Sequence, residues 1–346
     1  MMFRFRSHKW LNAFVSNRTF QVIVNGKLST SKAVTSGVPQ GSVLGPTLFL
    51  MYINDIGDGL KCDHLLFADD LKLFATKTKD IEDDMRVLEN WCTKWQMQVA
   101  PNKCEHIMFK KGKTIIPSSI TFKLDNSIIP VANYVRDLGV HLSSDLTFLH
   151  HYNLIIRKAH QRINIFFNVL KHASFGTLLS CFKIYIIPLL EYGSIIFSPT
   201  IKQQIILLES VQKSFVFRLF KKFGKTYLSY FDALMECGLE SLEYRRLVIN
   251  LHFTYKYVVS KEIIIDHQLF VLENNDRSLR RHEYILRSPI RNSTKITNQL
   301  YSNRIIRCWN SLPRSVFPVK VSFPVFKSNL LACNLSHFLT LNPCNY

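Results

Sequence analysis

The sequence lacks the features that mark secreted and membrane-spanning proteins. Its most apolar region, residues 163–201, is interrupted by Lys171, Lys183 and Glu191, so no run approaches the roughly 20 residues that a spanning helix requires. The opening MMFRFRSHKW is basic, but no apolar signal-peptide segment follows it. None of the eight cysteines forms a CxxC pair, which favours reduced thiols in apolar positions. We therefore expect an intracellular protein, in the nucleus or the cytoplasm, that is neither secreted nor transmembrane.

Acidic residues are also scarce and unevenly placed. The chain has 25 Asp and Glu against 44 Lys and Arg, and no acid precedes Asp55. Residues 51–100 carry ten acids and six bases, whereas residues 151–346 carry 26 bases and 11 acids. Such a surplus favours an anionic partner, either nucleic acid or an anionic membrane surface. The acidic segment at residues 51–100 is suited to holding a divalent metal, although a solvated helix face would explain its acidic residues equally well.

Hydrophobic periodicity predicts a mixed α+β chain with a change near residue 145. Asn25-Gly26 is a strong hairpin signal, and Ser42 is suited to cap a helix that runs to about Asp55. Asp80 is suited to cap a second helix, in which apolar residues recur at Ile81, Met85, Leu88, Cys92 and Trp95. Short strands are predicted at 64–67, 71–74, 105–109, 120–124 and 134–140, and long helices at 146–169 and 203–220.

Asp69 and Asp70 are candidate metal ligands because of their context. They follow the apolar run ending in Phe67-Ala68 and precede a second apolar run, so a hairpin turn would place both carboxylates at an exposed tip. Nucleotidyl transfer uses two Mg²⁺ ions about 4 Å apart, and such ions prefer hard oxygen ligands on a rigid backbone.

A glycine-rich loop, SGVPQGSVLGP at residues 36–46, is the second candidate feature. Gly37, Gly41 and Gly45 permit close approach of the backbone to a ligand, and Pro39 stiffens the loop. Gln40 offers donors and an acceptor to a base or a sugar. An ordinary connection between a strand and a helix explains one or two of these glycines but not the whole string.

The two features, about 28 residues apart, resemble motifs of the reverse transcriptases of non-LTR retrotransposons, especially the jockey-like group. The resemblance is dense over residues 10–145 and thin over 150–280. It rests on WLNAFVSNRTFQVIVNG, SGVPQGSVLGPTLFLMYINDI (motif B), LLFADDLKLF (motif C), WCTKWQMQVAPNKCEHIMF (motif D), YVRDLGVHLSSDL (primer-grip segment), and NRIIRCWNSLP followed by FKSNL.

The resemblance implies a polymerase palm-like antiparallel sheet with helices, followed by a mainly helical thumb-like region. The implied domains are a partial palm at 1–145, a helical thumb-like region at 146–276 and a basic C-terminal tail at 277–346. Five arginines at the start of this tail add to its charge: Arg277, Arg280, Arg281, Arg287 and Arg291.

The resemblance also implies a role for particular residues. Asp69 and Asp70 would bind the catalytic metal, Mg²⁺ or alternatively Mn²⁺, and Lys103 would lie near the triphosphate of the dNTP substrate and protonate the leaving pyrophosphate. A solvated loop lysine is the alternative for Lys103. The other implied contacts are Gly37 and Gln40 with nucleotide and template, Phe67 and Ala68 beside the primer end, and Leu138 and Gly139 in the primer grip. RNA template and DNA primer would be the partners, and the oligomeric state is left open.

The family pattern has a further catalytic aspartate, in motif A, some tens of residues before Trp10, and the sequence begins too late to include it. One adjacent carboxylate pair cannot bridge two Mg²⁺ ions in the geometry that in-line transfer requires. We therefore expect a fragment of an RNA-directed DNA polymerase that is inactive alone.

Two alternatives remain open: a non-catalytic, basic nucleic-acid-binding protein derived from such an element, and a remnant that does not fold stably. Primer extension separates the polymerase fragment from the binding protein, and circular dichroism separates both from the remnant.

Overall fold

The computed structural model describes residues 2–109, 120–273, 282–290 and 297–341, with side chains from His8 onward. These residues fall into two compact units. The first unit comprises residues 2–106 and 120–132, and the second comprises 107–109 and the described residues from 133 onward. The division at 145 and 276 predicted from the sequence stays a prediction. Four of the five tail arginines lie outside the described residues: Arg277, Arg280, Arg281 and Arg291.

The first unit combines helices with short antiparallel ladders. Its helices are α1 (Met2–Val15), α2 (Gly45–Ile53) and α3 (Thr78–Trp95). Its strands are β1 (Arg18–Phe20), β2 (Ile23–Val24), β3 (Lys27–Leu28), β4 (Lys32–Val34), β5 (Asp63–Phe67), β6 (Asp70–Phe74), β7 (Phe122–Leu124) and β8 (Ser127–Ile129). The pairs are β1–β4, β2–β3, β5–β6 and β7–β8, each an isolated two-stranded ladder among the described residues. This composition agrees with the predicted α+β class, whereas the palm assignment stays a prediction.

Two of these hairpins close on residues that tolerate a positive φ. Asn25 and Gly26 have φ values of 49° and 78°, and Asp125 and Asn126 have 48° and 63°. Asn, Asp and Gly occupy this region at low cost, and the resulting turn matches the twist of the flanking strands. The hairpin predicted at Asn25-Gly26 is therefore confirmed.

The predicted apolar stripe of α3 forms much of the first unit's core. Met85, Leu88 and Cys92 are buried, Ile81 is half-buried, and Trp95 is exposed at the helix end. Around the stripe, α2, the residues just after it and the β7–β8 hairpin contribute further buried apolar residues: Ile53, Ile56, Phe122, Leu124 and Ile129. Helical spacing therefore identified this face correctly, except at its last turn.

Two local predictions in the first unit are wrong. Helix α3 begins after Lys77, so Asp80 lies within its first turn and does not cap it by a side-chain hydrogen bond. A carboxylate in the first turn still stabilises the helix, because it interacts favourably with the positive end of the helix dipole. Residues 105–109 do not form a strand, because only His106 pairs, through an isolated parallel bridge to Val131.

The second unit is mainly helical. Its helices before residue 260 are α4 (Leu149–Val169), α5 (Phe175–Tyr185), α6 (Ile187–Glu191), α7 (Lys202–Lys222), α8 (Tyr230–Cys237) and α9 (Leu242–Val258). Later come α10 (Tyr301–Arg304), α11 (Ile306–Asn310) and α12 (Phe323–Leu331). Its strands are β9 (Tyr134–Asp137), β10 (Val140–Ser143), β11 (Val271–Leu272) and β12 (Leu286–Arg287), paired β9–β10 and β11–β12. The helices predicted at 146–169 and 203–220 are confirmed.

Serine caps define where three of these helices begin. The hydroxyls of Ser174, Ser229 and Ser241 accept hydrogen bonds from backbone N–H groups in the first turns of α5, α8 and α9. Each bond satisfies a donor that has no partner within the helix. Between the helices, Phe182 of α5 stacks on Phe215 of α7 with ring centroids 4.2 Å apart, and both rings are fully buried.

Strand β12 is completed by a side chain rather than by a third strand. The Asn310 side-chain oxygen accepts from the backbone N–H of Leu286, and its amide nitrogen donates to the Leu286 carbonyl, both at 2.9 Å. The amide of Asn310 thus imitates a peptide group of a neighbouring strand. In the parts of the chain that the structure describes, no helix has the length and apolar character needed to cross a membrane.

Candidate functional site

Asp69 and Asp70 lie at the tip of the β5–β6 hairpin, as predicted. Phe67 pairs with Asp70, which leaves Ala68 and Asp69 as a two-residue turn. Ala68 has a φ of 51°, so the turn reverses the chain through a conformation that non-glycine residues rarely adopt. Both aspartates are exposed. The hairpin therefore presents two adjacent carboxylates to solvent on a paired backbone.

The base of this hairpin is held by a buried carboxylate that the sequence analysis did not identify. Asp84 of α3 is fully buried and accepts hydrogen bonds from the backbone N–H groups of Lys61 at 2.9 Å and Cys62 at 2.7 Å. These donors immediately precede β5, so Asp84 ties the entry of the hairpin to α3. Its partners lie 22 and 23 residues away, so the local sequence pattern does not reveal this contact.

The electrostatics of Asp84 favour its charged form. Burial opposes ionisation, but hydrogen bonds from Cys62 and from the backbone of Lys61 outweigh burial and lower the pKa of the carboxyl. Burial and the neighbouring Asp84 raise the pKa of the Cys62 thiol to about 12. The thiol therefore stays protonated at neutral pH and serves as a donor.

The glycine-rich loop is held at both ends. The Arg18 guanidinium donates to the carbonyls of Ser36 and Gly37 and, through Nε, to the Val15 carbonyl at 2.9 Å. At the other end, the Ser42 hydroxyl accepts from the Gly45 N–H at 3.0 Å. The N-cap residue of α2 is Leu44 and makes no side-chain cap, so the predicted capping by Ser42 is wrong; the Ser42 hydroxyl instead accepts from the first N–H of the helix from three residues away. Arg18 was not singled out, because its partners follow 18 and 19 residues later.

Gly37 and Gln40 are both exposed on this loop. Gly37 has a φ of 76°, a conformation that L side chains rarely adopt, and no atom lies within 4 Å of where its Cβ would be. Its requirement for glycine is thus conformational, and open space above the backbone leaves room for a ligand. The contacts predicted for Gly37 and Gln40 with nucleotide and template stay predictions.

Lys103 ends a short 3₁₀ turn, Pro101–Lys103, and is exposed. Among the described residues, no hydrogen bond or ion pair joins Lys103 to Asp69 or Asp70. The exposed positions of Phe67 and Ala68 flank the aspartates directly along the hairpin. The roles predicted for these three residues stay predictions.

Leu138 and Gly139 form a tight turn rather than lying in a continuous strand, so the single strand predicted over 134–140 is wrong. They connect β9 to β10 with φ values of 43° and 91°. The Tyr192 hydroxyl donates to the Leu138 carbonyl at 2.7 Å, and its ring lies 3.3 Å from where a Cβ on Gly139 would be. Tyr192 therefore fixes this turn from the helical part of the second unit.

No cluster of three or more His, Cys, Asp or Glu side chains that could hold a metal occurs among the described residues. Asp55, a nearby acid, accepts a hydrogen bond from Trp91 Nε1 at 3.0 Å. The hairpin therefore offers two oxygen-bearing side chains, which match the hard ligands that Mg²⁺ prefers but are too few for a two-metal site.

Comparison with known proteins gives these motifs a context. Residues 1–144 match the family described as reverse transcriptase (RNA-dependent DNA polymerase). The chain is 28% identical over 200 residues to a probable RNA-directed DNA polymerase from transposon BS and 26% identical over 200 residues to that of mobile element jockey, both of Drosophila melanogaster. Each alignment covers 53% of this chain and 22% of the relative. The chain is also 27% identical over 217 residues to a probable polymerase from transposon X-element, covering 58% of this chain and 24% of the relative.

The match of residues 1–144 includes the hairpin with Asp69 and Asp70, the glycine-rich loop and the turn at Leu138. The chain spans about a fifth to a quarter of the length of these relatives. Residues 1–144 thus match the reverse transcriptase family, and part of the chain is similar to the RNA-directed DNA polymerases of mobile elements such as jockey.

Proposed function

We propose that this chain is part of an RNA-directed DNA polymerase of a mobile element, in which Asp69 and Asp70 bind the catalytic Mg²⁺. The observation that carries the proposal is the pair of exposed carboxylates at a two-residue hairpin tip, inside the segment that matches the reverse transcriptase family. RNA template, DNA primer and dNTPs are the substrates that this function requires.

Two-metal nucleotidyl transfer needs more carboxylate ligands than the two aspartates of the hairpin supply. In nucleotidyl transfer one Mg²⁺ activates the attacking 3′ oxygen, and the other holds the triphosphate. Asp69 and Asp70 would bind these ions from one side, and a carboxylate on another strand would complete the site. The exposed apolar residues Leu65 and Phe67 of β5 support this proposal. Burying them under another strand of the polymerase would be favourable, because it removes apolar surface from water. We propose that the 346 residues tested alone are inactive.

The remaining motif residues have proposed roles around this centre. Gly37 and Gln40 contact the incoming nucleotide and the template, and Phe67 and Ala68 lie beside the primer end. Lys103 acts near the triphosphate. The turn at Leu138 and Gly139 holds the primer, and its bond to Tyr192 supports a fixed position for that turn.

Primer extension tests this proposal. The 346-residue chain, supplied with template, primer, dNTPs and Mg²⁺, should give no product. A chain extended at its N-terminus by the corresponding segment of a jockey-type relative should extend the primer, and Asp69→Asn should then abolish extension. The matched control is Asp63→Asn, an exposed aspartate at the base of the same hairpin, which should retain activity.

Two outcomes would contradict the proposal. Extension by the 346 residues alone would show that the chain supplies its own third carboxylate, for which Asp55 and Asp58 are the candidates. Undiminished extension by the Asp69→Asn variant would exclude the hairpin as the metal site.

A second candidate is a non-catalytic nucleic-acid-binding function, favoured by the surplus of 26 basic over 11 acidic residues after position 150. Phosphate contacts release counterions, so affinity for a fluorescent RNA should fall by about 10³ or more between roughly 50 and 200 mM salt. Affinity that is independent of salt, or absent at low salt, would exclude it.

A further inference from the structure

A cavity of about 340 Å³ lies within the second unit, beside the turn between β9 and β10. One wall is the face of α4 that carries His151, Lys158 and Arg162, spaced so that they share one side of the helix. The opposite wall comes from the end of α5 and from α6, with the exposed rings of Tyr185 and Tyr192 at its mouth. Its size falls within the range of small-molecule sites.

His151, which lines the cavity, has a hydrogen-bond donor without a partner. His151 is only 2% exposed, and its Nδ1 accepts from the backbone N–H of His141 at 3.3 Å. Burial, with His141, Lys158 and His150 nearby, lowers the pKa of His151 to about 4, so the ring is neutral at pH 7. A neutral ring that accepts at Nδ1 carries its proton on Nε2. This Nε2 is buried and has no hydrogen-bond partner.

The other polar groups of the cavity are cationic. Lys158 has no hydrogen-bond or ion-pair partner among the described residues, and Arg162 uses one nitrogen to donate to the Tyr185 carbonyl at 2.8 Å. The remaining N–H groups of both side chains are available at the wall. No Asp or Glu lines the cavity. The charged groups that act on His141 and His151 are all positive, since only burial, lysine, arginine and histidine shift their pKa values.

Hydrogen-bond donors that have no acceptor in the protein favour a ligand that carries hydrogen-bond acceptors and negative charge. A phosphate provides both, and Lys158 and Arg162, four residues apart on the same side of α4, can both donate to it. The exposed rings of Tyr185 and Tyr192 offer flat faces on which a base can stack. We propose that this cavity binds the phosphate of a nucleotide, either a free nucleoside monophosphate or the 5′-terminal nucleotide of a strand. Gly139 of the proposed primer turn also lines the cavity, but AMP binding is measured without primer extension, so the two proposals can fail separately.

Calorimetric titration of the full chain with AMP, adenosine and inorganic phosphate tests this site. AMP should bind roughly tenfold or more tightly than adenosine, because a charge-assisted hydrogen bond contributes enough for that ratio. Lys158→Gln and Arg162→Gln should each weaken AMP binding by about the same factor. Both residues are exposed, so the variants should fold, which circular dichroism verifies.

The matched control is Arg157→Gln, an exposed cation on the same helix that does not line the cavity. Its affinity for AMP should be unchanged. An equal loss in Arg157→Gln and Lys158→Gln, equal binding of AMP and adenosine, or no binding of AMP would each overturn the proposal.

Competition distinguishes the two sources of the nucleotide. A short oligonucleotide with a 5′ phosphate that displaces AMP, while its unphosphorylated counterpart does not, identifies a strand terminus. Failure of both to displace bound AMP identifies a free nucleotide. Equal displacement by both would overturn the proposal, because binding of the backbone requires no cavity for a terminal phosphate.

Discussion

The two units of this protein differ in how completely they bury apolar side chains. In the second unit, apolar residues such as Leu178, Phe182 and Phe215 have no exposed surface. Among the described residues of the first unit, the least exposed apolar residue, Ile53, keeps 3%, whereas Asp84 is completely enclosed. The first unit also leaves strand residues such as Phe67 largely exposed.

The unit with the more completely buried apolar core is therefore not the unit that carries the candidate site. The second unit is organised around stacked rings and aliphatic contacts, whose stabilisation scales with the apolar area removed from water. The first unit carries the aspartate hairpin and the glycine-rich loop, and it positions both through polar contacts of Asp84, Arg18 and Ser42. Directional hydrogen bonds fix the position of a loop, even where little apolar surface is buried.

The largest effect should come from the aromatic core of the second unit. Phe182→Ala removes a fully buried ring stacked on Phe215 and should lower the free energy of unfolding by about 3–5 kcal/mol. Phe67→Ala, the matched change at an exposed position of the first unit, should cost less than about 1 kcal/mol. Urea unfolding followed by circular dichroism measures both. Similar losses would show that the units are equally packed.

The next effect concerns the polar anchor of the first unit. Asp84→Asn replaces an acceptor of backbone hydrogen bonds by a group with its own donors, and the free energy of unfolding should fall by about 2 kcal/mol. Amide exchange at Lys61 and Cys62 should accelerate. The control Asp83→Asn loses a surface ion pair with Lys61 and should cost less than about 1 kcal/mol.

The same anchor should respond to acid. Because the pKa of Asp84 is lowered on folding, its contribution is present above the unfolded pKa of about 4 and is lost as the pH falls through the folded value. The advantage of wild type over Asp84→Asn should therefore shrink toward pH 3. An advantage that is constant with pH would exclude a charged Asp84.

Acid should weaken the second unit at a higher pH, through His252. Its ring packs edge-on against Phe323, and burial, with Lys327 and Lys256 nearby, lowers its pKa to about 4. An unfolded histidine takes up its proton near pH 6.5, whereas the folded one does so only near pH 4. Between these pH values the unfolded state binds more protons, so the free energy of unfolding falls as the pH is lowered. His252 alone should lower the free energy of unfolding by about 2 kcal/mol between pH 7 and pH 4.5.

Urea unfolding at pH 7 and pH 4.5 measures this loss in wild type and in His252→Gln, where it should be smaller. The exposed His172→Gln is the matched control and should keep the wild-type pH dependence. The assignment to His252 fails if both variants lose equal stability on acidification.

The smallest effect compares one glycine of each unit. Gly139→Ala places a Cβ at a φ of 91° and 3.3 Å from the Tyr192 ring, and it should cost between about 1 and 2 kcal/mol. Gly37→Ala has a φ of 76° but open space, and it should cost about 1 kcal/mol. Thermal unfolding of both variants measures the difference. A larger loss at Gly37 would show that the loop is more tightly enclosed than its geometry indicates.

Local patterns were sufficient for the β5–β6 hairpin and for the core face of α3. In the hairpin, two apolar runs flank a short polar turn, and in α3 the apolar residues recur at helical spacing. Both signals are contained within a few neighbouring residues. The mixed α and β composition was predictable for the same reason.

The contacts of Asp84, Arg18 and Tyr192 were not predictable because their partners are distant in the chain. Asp84 meets donors 22 and 23 residues before it, and Tyr192 meets a carbonyl 54 residues before it. The turn at Leu138 was missed because leucine rarely adopts a positive φ, so the alternating pattern indicated one continuous strand.

The side chain of Asn310 has a consequence for how this protein behaves at high concentration. An unpaired strand edge is a template on which another molecule can add a strand, and such addition propagates into aggregates. At Leu286 the amide of Asn310 already occupies the backbone donor and acceptor. The apolar hairpin β5–β6 has a two-stranded ladder among the described residues, and no side chain of those residues hydrogen-bonds to the backbone of Leu65 or Phe67. Self-association through strand addition should therefore begin at the hairpin that carries Asp69, and Asn310→Ala should create a second starting point.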